Sequence, residues 1–229
     1  MAAPTLQSIL DASSPQVILT GRKLVELPEA LRGRSGVTHL GVQRNLLRAL
    51  PDWLCELTSL KSLYVGQNPL EALPPGLGAL PSLQRLLLSE TALTRLPDDL
   101  GQSPVEFVHL EAMPALDWAQ ALAVLARCPR LTSLALNANP GIAAHLDGLT
   151  ALRSLRQVYL SACELTVVPP ALWSLASLTD VSLVDNPITH VSDALVLLPS
   201  LRSLMLPKGR AFAAERRRVA ALRPDLRLP

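Results

Sequence analysis

The chain is poor in aromatic residues, poor in cysteine and nearly balanced in charge. Phe, Trp and Tyr make up 3% of its 229 residues, against 49% hydrophobic residues in all. Its core must therefore be aliphatic, which suits many small, alike packing layers better than one large irregular core. The three cysteines, Cys55, Cys128 and Cys163, are odd in number, far apart and form no CxxC pair. That argues against a disulfide framework or a zinc site and for a reducing compartment. A formal net charge of +2 supplies no global field toward nucleic acid or an anionic membrane. No apolar run is long enough to cross a bilayer. Residues 1–10 show neither the basic n-region nor the apolar stretch of a secretory signal. The expectation is a soluble, cytoplasmic protein with no membrane association, although an effector exported without a cleaved signal would read the same.

Catalytic constellations are missing too. The four histidines, His39, His109, His145 and His190, are spread along the chain with no metal-ligand spacing. There is no HExxH, no P-loop and no Gly-rich dinucleotide turn. No enzyme, cofactor, metal or small-molecule substrate is expected.

What is present is a repeat. Its most regular copy runs Leu60-Lys61-Ser62-Leu63-Tyr64-Val65-Gly66-Gln67-Asn68-Pro69-Leu70-Glu71-Ala72-Leu73-Pro74. Counted at the ninth place, copies fall at Arg22, Asn45, Asn68, Thr91, Met113, Asn139, Cys163 and Asn186, in steps of 23, 23, 23, 22, 26, 24 and 23 residues. Such a period marks a solenoid, which grows as one elongated body. The segment around Leu63 alternates with period two, so it is a short strand with Leu63 and Val65 inward and the residues between them outward. The ninth-place Asn follows the strand, where its amide can bond the backbone of its own and neighbouring turns and form a ladder through the stack. Thr91 and Met113 leave a two-rung gap in that ladder, and Cys163 stands in as a small buried donor. The Pro after the next Leu stops helix formation and turns the chain back.

The frame LxxLxLxxNxLxxLP resembles the leucine-rich repeat family, over roughly residues 14–208. The tails Leu27-Pro28, Leu50-Pro51, Leu73-Pro74, Leu96-Pro97 and Val168-Pro169 are similar to the subclass with short, irregular convex sides, as in bacterial intracellular or effector-like members. The resemblance implies an α/β fold, a curved horseshoe with about nine parallel strands on its concave face. By strand spacing that face would be roughly 40 Å long. A single domain, 1–229, is expected. Residues 1–13 would form a helical N-terminal cap with Thr5 at its N-cap, and 209–229 a C-terminal cap. The C-terminal cap has a helix from about Ala211 to Leu222 and a short edge strand at Leu226–Leu228. Both ends of the array would thus be closed within the chain. One convex segment, Trp118 to Cys128, has no Pro and is rich in Ala and Leu, which predicts a true helix.

The family's usual mode implies a protein or peptide partner on the concave face and a monomer when unbound. The outward positions offer Tyr64, Leu87, Phe107, His109, Tyr159 and Met205, with Arg44 and Arg85 on one flank, Glu111 next to them and Asp180 further on. Tyr and Arg ringed by polar groups suit a protein contact. His109 and Glu111, two apart, could form a polar pair there. A second surface is the basic cluster Lys208, Arg210, Arg216, Arg217, Arg218 and Arg223, which could contact nucleic acid or an acidic partner. The few interleaved aromatics and the small net charge disfavour nucleic acid.

Overall fold

The computed structural model describes residues 5–11 and 13–229. Residues 1–4 and 12 of the expected N-terminal cap lie outside the described residues. Contacts cluster in two compact units. One runs to His109 and takes in Ala115–Arg130; the other comprises Leu110–Pro114 and Leu131–Pro229.

In the first unit a short helix, α1 (Leu6–Asp11), precedes five strands: β1 (Gln16–Ile18), β2 (His39–Gly41), β3 (Ser62–Tyr64), β4 (Arg85–Leu87) and β5 (Phe107–His109). Thr5 caps α1 as expected, its hydroxyl accepting from the Ser8 N–H at 3.2 Å. The strands pair in sequence order, all parallel, with Leu40, Leu63, Leu86 and Val108 in register. These central residues and Val17 are fully buried. Period-two alternation therefore sends one residue of each strand into the core and two outward, as the sequence predicts. Each strand is only three residues long because the frame closes quickly into the ladder turn.

The return side is built of short 3₁₀ turns, each with a fully buried Leu, such as Leu31, Leu54, Leu77 and Leu100. Three of these turns begin directly after Pro28, Pro51 and Pro97, which hold extended backbone at the N-cap. The proline thus starts a 3₁₀ turn as well as ending the preceding segment, since it needs no N–H there. The expected true helix is α2, Trp118–Leu125, capped by the Asp117 side chain, which accepts from the Gln120 N–H. Trp53 and Trp118 are buried, so both pack into the scaffold.

The second unit has four parallel strands in order: β6 (Ser133–Ala135), β7 (Gln157–Tyr159), β8 (Asp180–Ser182) and β9 (Ser203–Met205). Helix α3 spans Ala213–Leu222, starting two residues later than expected because Arg210–Phe212 is a 3₁₀ turn. Phe212 and Val219 are buried. The expected strand at Leu226–Leu228 reduces to one parallel bridge, Ser203 with Arg227. Arg223 fixes this end from a nearly buried side chain, donating to the Leu195, Leu198 and Leu201 carbonyls.

Candidate functional site: the outward face of the strands

The turns after the strands decide which side chains remain available. Asn45 donates to the Leu19 and Val42 carbonyls at 2.9 and 2.8 Å and accepts from the Arg22 and Leu24 N–H groups. Asn68 repeats the pattern one coil on, to Val42 and Val65. Asn139 does so to Leu110 and Leu136, and Asn186 to Leu160 and Leu183. Each amide therefore ties its own turn to the preceding coil. Cys163 keeps a rung, its Sγ donating to the Leu136 carbonyl at 3.2 Å. The expected gap is partly filled as well. Thr91 Oγ1 donates to the Leu88 carbonyl, and the Met113 N–H donates to Asn139 Oδ1.

The residue before each ladder position is left-handed: Gly21, Arg44, Gln67, Glu90, Ala112, Ala138, Ala162 and Asp185, with φ between 50° and 69°. Seven of the eight are not glycine, so the ladder holds them against an intrinsic preference of about 1–2 kcal/mol each. In the first unit this turn aligns three side chains into a relay. Arg44 Nε donates to Gln67 Oε1 at 2.7 Å, and Gln67 Nε2 donates to Glu90 Oε1 at 2.9 Å. Arg44 thus sits on the turn edge, off the strands, already engaged.

On the strands, register brings two rows together. One is Ser62, Arg85 and Phe107; the other is Tyr64, Leu87 and His109. Tyr64, Leu87, Phe107 and His109 are part-exposed and Arg85 is exposed. The Arg85 guanidinium lies over the Phe107 ring, 4.9 Å from its centroid. Such a contact contributes about 0.5–1 kcal/mol at an exposed site.

Three positions flanking or matching these outward places are not open. Ser62 is fully buried, with its Oγ lacking a hydrogen-bond partner. Gly66 is buried because a Cβ there would lie 2.7 Å from the Ser89 carbonyl oxygen. Gly41 is buried as well, and an added Cβ would meet Ile18 Cδ1 at 3.0 Å, Gln43 Oε1 at 3.2 Å and Tyr64 Cδ2 at 3.8 Å, so neighbouring side chains already close over it. Ile18, absent from the expected contact set, is half-exposed. Its place one residue after the inward Val17 is the signal that could have found it.

The second unit carries the other four expected site residues. Glu111 accepts from the Asn137 amide at 2.6 Å. Asp180 accepts from Thr179 Oγ1 at 2.7 Å and from the Gln157 amide at 3.5 Å. Tyr159 and Met205 are part-exposed at equivalent outward places on β7 and β9. Burial, then the Asp180 carboxylate, pushes the Tyr159 phenol up from its usual range, so it stays a neutral donor near neutrality.

Burial also pushes the Cys128 thiol up to about 11, and the Cys55 and Cys163 thiols rise for the same first reason. A nucleophile requires the opposite direction. Among the described residues no group of three His, Cys, Asp or Glu could hold a metal ion, and no helix is long and apolar enough to cross a membrane.

No family model matches the chain, and the search of curated proteins finds no match. Solved structures do match. Human trophoblast glycoprotein 5T4 (Wnt-activated inhibitory factor 1) is 26% identical with a TM-score of 0.72, over 84% of this chain and 77% of that one. An internalin of Listeria monocytogenes is 18% identical with a TM-score of 0.57 over 87% of this chain. This chain spans 64% of that internalin's length. Internalin C2 of the same organism is 18% identical with a TM-score of 0.59, over 80% of this chain and 79% of that one. All are leucine-rich repeat proteins built on a parallel sheet. With its repeating frame, its parallel strands and its ladder of Asn amides, the chain has the leucine-rich repeat fold.

Proposed function

We propose that the chain is a non-catalytic protein-interaction module that recognises a protein or peptide partner through the outward face of its strands. The observation that carries this is a division of labour within each coil. Ladder, strand-centre and return-side residues are buried in scaffold bonds, whereas Tyr64, Arg85, Leu87, Phe107, His109, Tyr159 and Met205 stand at outward strand positions with surface to offer. Aromatic and Arg anchors beside polar neighbours are the composition that contributes most at protein interfaces. Fold likeness supports the same class of function by analogy.

The alternative through the C-terminal basic cluster is weaker. Arg218 is paired with Asp193 and Glu215. Arg223 is held by Asp225 and three carbonyls. Arg216 donates to the Leu228 and Pro229 carbonyls. These three cations serve the cap, which leaves Lys208, Arg210 and Arg217 for a ligand. The strand face would equally serve an exported effector that recognises a host protein, and a translocation assay separates the two roles.

The test is affinity capture with the wild type and with Arg85→Glu/Phe107→Ala/Tyr159→Ala, followed by mass spectrometry. The proposal expects a specific protein on the wild type and its loss from the triple variant at unchanged circular dichroism. Equal recovery by a folded triple variant overturns it.

A further inference from the structure

We infer that the outward face of β1–β5 takes an acidic peptide segment, in which a carboxylate engages Arg85 and a neighbouring bulky apolar side chain lies against Leu87 and Tyr64. The inference rests on the protein-binding reading above and adds the chemistry of the partner.

Charge is the first ground. None of the residues of β1–β5 is a carboxylate. The neighbouring acids lie off the strands: Glu90 in the turn, already taking the Gln67 amide, and Glu106 just before β5. Arg85 is exposed, and its guanidinium lies over the Phe107 ring. Lys61, just before β3, is exposed and forms no ion pair among the described residues. A carboxylate brought to this face therefore meets cations and no fixed anion on the strands.

Preorganisation is the second. Arg side chains lose rotamer freedom when they bind, a cost of roughly 0.5–1.5 kcal/mol per side chain. Stacking on Phe107 meets part of that cost before any partner arrives. The fork presents two parallel N–H groups, the geometry a carboxylate accepts in bidentate fashion.

The third ground is the apolar neighbourhood. Leu87 lies two residues along β4 from Arg85, about 6.6 Å at the rise of a strand. Tyr64 stands beside Leu87 in register, and Gly41 beside Tyr64. Ile18, half-exposed, lies beside Gly41 in register. In an extended peptide, side chains on one face also recur every second residue, at about the same spacing. An acidic residue placed two positions from Leu, Ile, Phe or Tyr therefore reaches Arg85 and the Leu87–Tyr64 surface together.

The probe is a library of random linear peptides displayed on phage, selected on the full chain. Synthetic copies of the winners are then titrated against the wild type, Arg85→Lys, Arg85→Glu and Leu87→Ala. The expected result is enrichment of Asp or Glu two positions from a bulky apolar residue. Affinity should fall at least tenfold in Arg85→Glu and severalfold in Leu87→Ala. A smaller fall is expected in Arg85→Lys, which keeps the charge but not the fork, and binding should weaken as salt rises. Reselection on Arg85→Glu should favour basic peptides. Winners without an acidic residue that ignore Arg85→Glu but are lost on Leu87→Ala overturn the acidic class while leaving the face as a binding surface. Winners indifferent to every variant, or no enrichment at all, overturn the inference; indifference also removes this face from the protein-binding reading.

Discussion

Removing one rung of the ladder measures how far these turns depend on it. Asn68 is buried. Its amide donates to the Val42, Val65 and Gly66 carbonyls at 2.9, 2.7 and 3.3 Å, and its Oδ1 accepts from the Leu47 N–H at 3.1 Å. Asn68→Ala removes all four bonds. A buried backbone group stripped of its partner costs about 1–3 kcal/mol. Taking the lower end for the two short carbonyl bonds and the Leu47 N–H gives a loss of about 3 kcal/mol. Asn68→Cys keeps a buried donor of the kind seen at Cys163, which bonds the Leu136 and Ser161 carbonyls, and should lose only about 1–2 kcal/mol. The assay is equilibrium urea unfolding followed by Trp fluorescence. Trp53 and Trp118 report on the first unit and Trp173 on the second, so a transition confined to one unit is visible. A loss under 1 kcal/mol for Asn68→Ala, or a Cys variant no better than Ala, would refute the ladder's role.

Other perturbations follow from the same coils. Gly78→Ala should destabilise by about 3 kcal/mol or more, because the new Cβ would fall 2.0 Å from the Asp99 carbonyl oxygen; Gly41→Ala, whose tight contacts are the side-chain ends of Ile18 and Gln43, should stay within about 1 kcal/mol by the same urea assay. Ala138→Gly, at φ 55°, should stabilise by about 0.5–1 kcal/mol by relieving a left-handed residue, read as a raised urea midpoint. Arg218, then the Val191 N–H, hold the Glu215 carboxyl down at about 2, below the usual carboxylate range, although burial opposes this. Its stabilisation of the C-terminal cap is therefore complete above about pH 5 and is lost as pH falls toward 2. After allowance for solvent screening it amounts to about 1–3 kcal/mol. Unfolding midpoints between pH 6 and 3 should drop less steeply in Glu215→Gln than in the wild type.

The scaffold was legible in the sequence because it repeats. Leu63, Val65, Asn68 and Leu70 recur at fixed places in coil after coil, and each place has one physical task. The helix at Trp118–Leu125 was legible too, from its run of Ala and Leu without Pro. Details set by neighbouring coils were not. Gly78 reads as an ordinary loop glycine until the Asp99 carbonyl is seen pressing on it. Ser62 and Gly66, two places either side of Tyr64 in the alternation, are both buried, and Ser89 of the next coil lies against Gly66. The stacking of Arg85 on Phe107 depends on a register of 22 residues between coils, which the sequence shows only as two unrelated side chains. The expected site residues are therefore unequal: Arg44, Glu111 and Asp180 already hold intramolecular partners, whereas Tyr64, Leu87 and Arg85 stand clear.

The account's central claim is that recognition lives on the outward strand face. Isothermal titration of the captured partner into the wild type and into Arg85→Glu/Phe107→Ala/Tyr159→Ala tests it most directly, with urea midpoints confirming that both proteins are folded. The account predicts at least a hundredfold weaker binding by the triple variant, equivalent to about 2.7 kcal/mol. Affinities within threefold of each other would contradict it.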